Sequence, residues 1–203
     1  MKEFHSEAKE MDEPQVKIEV KREVRTYAEF WHTSTCLLEM TNEIKEGQYH
    51  LVMGSLVFTA FTLEAFLNHA GEKVFSCWKD LERLSPKEKL NVISEKIELK
   101  IDYGVRPWQL INELFQFRND IAHGKNITLK LSDTKTLTNY RLDPNLQHYN
   151  AETRWEKYCT KENAERARSE VIEIVELIYN SAKISNEYPF QFGFEMKGST
   201  LVL

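Results

Sequence analysis

A chain of 203 residues with 41% hydrophobic and 29% charged side chains has the composition of one folded domain, which excludes disordered and fibrous classes. Its formal net charge of −5 excludes a protein that coats nucleic acid by bulk attraction, although a local basic site stays open. Seven Gly and five Pro are few, so long regular elements joined by short connections are expected.

Residues 1–25 carry 13 charged side chains of both signs and read as a mostly solvated segment. Within it Val16, Ile18 and Val20 alternate as in a short strand. From about Arg25 to Lys45 the spacing of Tyr27, Phe30, Trp31, Leu37, Leu38 and Ile44 predicts a helix that Gly47 ends. A second helix is predicted from about Gln48 to Ala70, stopped by Gly71. It is apolar almost all the way round, which places it in the middle of a bundle. Ser85-Pro86-Lys87-Glu88 is a capping-box start for a shorter helix reaching about Ile97. Arg106-Pro107 opens the next, with Leu110, Ile111, Leu114 and Phe115 on its apolar stripe and Gly124 beyond its end. The last long helix spans about Lys161–Ile184.

Three stretches alternate with period two instead: Ile127/Leu129/Leu131, Thr136–Leu142, and Tyr188/Phe190/Phe192/Phe194/Met196. They predict short strands, the first two a hairpin across Ser132–Lys135 and the last an edge strand beside Pro189. The expected fold is mainly α: a four- to six-helix bundle with a small appended antiparallel β element. The expected organisation is a charged segment 1–24, a helical domain 25–184 with an insertion at 126–160, and a tail at 185–203.

Met1–Pro14 has no apolar core of a secretory signal, and the longest apolar run, Leu51–Phe61, is too short for a membrane span. Cys36, Cys77 and Cys159 are far apart with no C-x-x-C pair. Free thiols, a cytoplasmic location and no membrane partner are therefore expected. Phosphate-binding, dinucleotide-binding, zinc-protease and serine-hydrolase signatures are missing, so neither a cofactor nor a metal is expected.

One segment carries chemistry: Phe117-Arg118-Asn119-Asp120-Ile121-Ala122-His123-Gly124-Lys125, at the end of a predicted helix. Asn119 and His123 are i,i+4 neighbours, so the amide can orient the imidazole. Arg118 lies about 140° round the helix from His123, so the two converge on one ligand only when a second copy of the helix faces the first. Arg118 can hold a phosphate and stabilise charge at phosphorus, while His123 can move a proton at a ribose 2′-OH or a 5′-oxygen. Set against this, a His near a helix end is often a cap residue, and an Arg beside Asp120 is often a surface ion pair. Glu64 and Asn68 are i,i+4 on the apolar helix. A carboxylate there needs a partner, either Arg118 or a backbone donor, unless it emerges at the bundle edge. The Arg166/Arg168 region reads as a solvated helix face.

At Arg118–His123 the chain resembles the HEPN family (higher eukaryotes and prokaryotes nucleotide-binding), whose hallmark is R-x(4–6)-H with a polar residue after the Arg. The string "FRNDIAHGK" carries the likeness. "SLVFTAFTLEAFLN" at Ser55–Asn68 and "LSPKEKL" at Leu84–Leu90 look similar to neighbouring family segments. The resemblance covers roughly residues 25–184. It implies a homodimer through the Arg118–His123 helix and metal-independent cleavage of single-stranded RNA, with Arg118 and His123 catalytic and Asn119, Glu64 and Asn68 supporting. It also implies a toxin–antitoxin or antiviral setting with an antitoxin or defence partner. The family includes members that only bind nucleotides or proteins. Members paired with minimal nucleotidyltransferase antitoxins often carry Tyr two residues after the His, and this chain departs from them with Lys125, a residue suited to contact phosphate.

Overall fold

The computed structural model describes residues 15–142, 150–184 and 188–202. The first fourteen residues of the charged segment, the middle of the 126–160 insertion, His5 and His148 lie outside them. Two compact units form. Met1–Arg25 with Phe192–Leu203 makes a ribbon unit, and Thr26–Gln191 makes a helical unit. The protein is thus mainly α with a small antiparallel sheet.

In the ribbon unit, β1 (Gln15–Arg22) pairs antiparallel with β2 (Glu195–Val202), Gln15 opposite Val202 and Arg22 opposite Glu195. The alternation of Val16, Ile18 and Val20 is that of a strand. The tail, however, is a strand only from Glu195 onward.

The helical unit contains, among the described residues, α1 (Thr26–Glu43), α2 (Gln48–Val74), α3 (Trp78–Leu81), α4 (Pro86–Lys96), α5 (Gln109–Ala122), α6 (Leu137–Leu142), α7 (Arg154–Tyr158) and α8 (Lys161–Ala182). α2 is the hub and touches α1, α3, α4, α5 and α8. Its Leu56, Ala60, Leu63, Phe66, Leu67 and Ala70 have no exposed surface at all. They meet Val171, Ile174, Val175 and Ile178 of α8 and Leu110, Ile111 and Leu114 of α5, all at most 1% exposed, in one core. Each such Leu or Ile stabilises the fold by about 1.5–3 kcal/mol relative to exposure. Among the described residues α2 is also the one helix long and apolar enough to cross a membrane, and here half of its apolar window is buried by its neighbours.

α1 and α2 meet along a seam of hydroxyls. Ser34 Oγ lies 2.7 Å from Thr59 Oγ1 and 3.0 Å from Ser55 Oγ, and Ser55 Oγ donates to the Ser34 carbonyl at 3.0 Å. All three residues are fully buried. Every hydroxyl in the seam finds a partner, which removes the penalty of placing it in a dry contact. Beside the seam Gly54 lets Leu37 approach, since a Cβ there would lie 3.0 Å from its Cδ1.

Several expectations are corrected. Gly71 does not stop α2, which runs three residues further. Its missing side chain makes room for the Trp78 ring, which a Cβ would meet at 2.3 Å. The hairpin predicted from Ile127 to Leu142 does not form: 124–136 has no regular structure, and Leu137–Leu142 is helical. Ile127, Leu129, Leu131, Leu137 and Leu142 are all exposed, so their alternation matches no buried face. In the tail Phe190 is buried and stacks on Trp31, centroids 4.4 Å apart, which makes it bundle cover rather than strand. Nor is the Arg166/Arg168 region a solvated face. Arg168 sits 3.7 Å over the Trp31 ring and donates to Thr35 Oγ1 at 2.6 Å. The α4 start is as expected, with a complete capping box between Ser85 and Glu88.

Candidate functional site

α5 places the Arg-polar-x-x-x-His segment. Leu110, Ile111, Leu114, Phe115 and Phe117 bury one face of the helix, which leaves Asn112, Gln116, Asn119 and His123 on an exposed polar face at helical spacing. Arg118 lies between these faces. Its Nη2 donates to Glu64 Oε2 of α2 at 2.6 Å, with side-chain exposures of 17% and 31%. The Phe115 ring lies 5.7 Å from the guanidinium carbon. The carboxylate on the apolar helix therefore has its partner, and it is Arg118 rather than a backbone donor.

Two polar atoms near this pair in sequence are buried without a protein partner: Arg118 Nε, and Asn68 Oδ1 one turn beyond Glu64. Leaving such groups unpaired costs about 1–3 kcal/mol each. The Arg118 Nε has no open surface, so an oxyanion would meet this guanidinium, anchored by one carboxylate, at the part of the side chain that stays exposed.

His123 is the residue immediately after α5. Its amide donates to the carbonyls of Asn119 and Ile121, and its side chain is exposed. The link read from spacing is not made through side chains, since among the described residues no hydrogen bond joins the Asn119 amide to the His123 ring. Instead Asn119 lines a cleft of about 410 Å³ with Ser85, Lys87, Asn112, Phe115 and Asp120. Lys125 lines a second cleft, of about 490 Å³, with Met53, Asp120, Ile121, Trp155 and Glu156. Asp120 borders both and is held by a two-point contact from Arg154 of α7, at 2.8 and 2.9 Å.

The structure thus brings Glu64 and Arg118 together and leaves Asn119, His123 and Lys125 exposed on the same end of α5 but in separate surroundings. It adds Lys87, which sequence reading used only as part of a helix start. Lys87 Nζ donates to Asn112 Oδ1 at 3.0 Å and lies 4.3 Å from the Tyr103 ring centroid, beside Asn119 in the first cleft. A Lys just inside a helix start, where acidic residues are favoured, is the signal that could have marked it.

At the other end of α5 the charges are of a different kind. Arg106 donates to Glu113 at 2.7 and 3.1 Å and to Glu170 at 3.0 Å, while Arg166 donates to Glu113 at 3.1 Å. Burial raises the Glu170 carboxyl above its usual range, partly offset by Arg106. The Tyr158 hydroxyl is pushed up to about 12, mainly by burial. Burial likewise pushes the Cys159 thiol up to about 11, and Cys36 and Cys77 are exposed free thiols.

Among the described residues no three His, Cys, Asp or Glu side chains are grouped as metal ligands would be. Compared with family models, curated proteins and solved structures, the chain matches none of them.

Proposed function

We propose that the protein is a HEPN-type endoribonuclease acting on single-stranded RNA as a homodimer, with the C-terminal ends of two α5 helices forming one cleft. The observation that carries this reading is the Arg118–Glu64 ion pair at 2.6 Å, which fixes the guanidinium of an R-x4-H segment whose His123 is exposed at the helix end. In the proposed reaction the ribose 2′-oxygen attacks phosphorus as His123 of one copy takes its proton. The bond from phosphorus to the 5′-oxygen breaks, and His123 of the second copy supplies the proton that this oxygen needs. The products are a 2′,3′-cyclic phosphate and a 5′-hydroxyl. Arg118 holds the phosphoryl oxygens and stabilises the added negative charge. Glu64 positions Arg118 from α2, and Lys125 and Asn119 contact neighbouring phosphates and bases. In this reading the enzyme belongs to a toxin–antitoxin or antiviral system in the cytoplasm.

A second reading is a non-catalytic module that binds a nucleotide or a protein. Arg118 favours it, because a guanidinium 17% exposed and already paired with a carboxylate serves as well to anchor α5 on α2. Purified protein with excess EDTA and a labelled single-stranded RNA separates the two. The ribonuclease reading expects 2′,3′-cyclic phosphate ends and a loss of at least a hundredfold in His123→Ala. Undiminished cleavage in His123→Ala overturns it. Saturable RNA or nucleotide binding without cleavage, lost in Arg118→Ala, establishes the module instead.

A further inference from the structure

The ribbon unit has an edge with an unusual property. A two-stranded ribbon is marginal by itself in water, and β1 is exposed at all eight of its residues. The Glu23 amide donates to the Phe194 carbonyl at 2.9 Å in the register that continues Arg22 opposite Glu195. In an antiparallel ladder such bonded positions recur every second residue. The odd-numbered residues of β1 therefore turn their backbone groups toward β2, and Val16, Ile18, Val20 and Arg22 turn theirs to the outer edge, where the described sheet has no further strand. The even side chains Val16, Ile18 and Val20, 54–72% exposed, form one face. Lys17, Glu19 and Lys21 lie on the other, with Lys17 and Glu19 in contact at 2.6 Å.

We propose that β1 pairs with β1 of a second copy of this chain, antiparallel and centred on Ile18, so that two ribbons join into a four-stranded sheet. The register follows from the side chains. With Ile18 opposite Ile18, Val16 faces Val20 twice on the apolar face, and Lys17 faces Glu19 twice on the charged face. The bonded positions at this edge are the even residues, so the backbone groups left unused by β2 are the ones that meet. A shift that centres the pairing on Lys17 or on Glu19 puts like charges directly opposite, which destabilises a sheet. Centring on Val20 sets Arg22 against Ile18 and carries the pairing past the end of β1. The occupant is therefore another β1, selected by complementary charge and by matching apolar positions, and the joint is two-fold symmetric. This inference is independent of the reading of Arg118 and His123.

Cross-linking of the full chain tests it, in a Cys36→Ser/Cys77→Ser background that leaves the buried Cys159 in place. Ile18→Cys is expected to form a disulfide-linked dimer under mild oxidation, because bonded antiparallel positions lie about 5.5 Å apart, within disulfide reach. Val16→Cys mixed with Val20→Cys is expected to cross-link, and neither is expected to do so alone. Variants of β1 add a second readout in the cross-linking pair. Ile18→Pro removes an amide that β2 does not use, so the ribbon is retained while the cross-link between Val16→Cys and Val20→Cys chains is lost, a readout that association through α5 does not supply. Lys17→Glu is expected to weaken association roughly tenfold, and Lys17→Glu/Glu19→Lys to restore it. A cross-link between Val16→Cys and Val20→Cys chains that persists undiminished in Ile18→Pro and Lys17→Glu overturns the proposal, as does a Val16→Cys chain that cross-links with itself as readily as the mixture.

Discussion

The two ends of α5 treat charge differently. At the N-terminal end Arg106, Glu113, Arg166 and Glu170 form a network in which each member touches an opposite charge, two cations against two anions. At the C-terminal end there are two separate one-to-one pairs, Arg118–Glu64 and Arg154–Asp120, and His123 stands in solvent. In the network the charges are shared, so an incoming anion competes with more than one carboxylate, although Arg166 Nε, like Arg118 Nε, is buried without a partner. At an isolated pair such as Arg118–Glu64 an incoming oxyanion competes with a single carboxylate, which is the arrangement expected of a residue that handles a ligand. The same helix is thereby pinned by a shared network at one end and held by two single pairs at the other.

The largest effect is expected from breaking the pinned end. Glu113→Ala leaves Arg106 and Arg166 without their shared partner and should cost on the order of 2–3 kcal/mol in denaturant unfolding. A loss below about 0.5 kcal/mol would mean that the network is no more than a surface ion pair. Glu64→Ala should cost less, about 1–2 kcal/mol, because Arg118 can turn toward the opening and recover water. The same variant should speed modification of Arg118 by a dicarbonyl reagent, read by peptide mass. An unchanged rate would show that Glu64 does not restrain it. The smallest effect is a pH trend at Glu170. Its folded-state carboxyl binds a proton more tightly than an unfolded one, so wild-type stability contributed by this group falls as pH rises through the ordinary carboxylate range. The stability difference between wild type and Glu170→Gln should therefore move in favour of Gln between pH 4 and 7. Movement in the opposite direction would mean that Arg106, rather than burial, controls this carboxyl.

Much of the helical unit was legible because burial leaves periodic traces. The all-round apolar pattern of α2 marked the hub, and Ser85-Pro86-Lys87-Glu88 marked a helix start by local chemistry alone. The failures share a cause in contacts distant along the chain. Gly71 reads as a stop, yet it continues α2 because the Trp78 ring needs its place. Ile127, Leu129 and Leu131 alternate, but alternation specifies a strand only where a partner or a buried face exists. Arg168 looks solvated until Trp31 and Thr35 are folded against it. At the site, Glu64 was legible as a carboxylate in need of a partner, Arg118 or a backbone donor, unless it emerged at the bundle edge, and the fold settles on Arg118. The separation of Asn119 from His123 was not, because i,i+4 spacing gives proximity and leaves side-chain direction open.

The seam of Ser34, Ser55 and Thr59 acts as a key between α1 and α2. Hydrocarbon surfaces slide past each other with little change in energy, but these hydroxyls match at a single offset. One turn of displacement would part Ser34 from one of its two hydroxyl partners and Ser55 Oγ from the Ser34 carbonyl, at about 1–3 kcal/mol for each group left unpaired, while Thr59 keeps its bond to the Ser55 carbonyl. The hairpin of the two helices therefore carries its own alignment check. Because α2 is the element on which every other long helix is stacked, an error removed there is an error that never reaches Glu64.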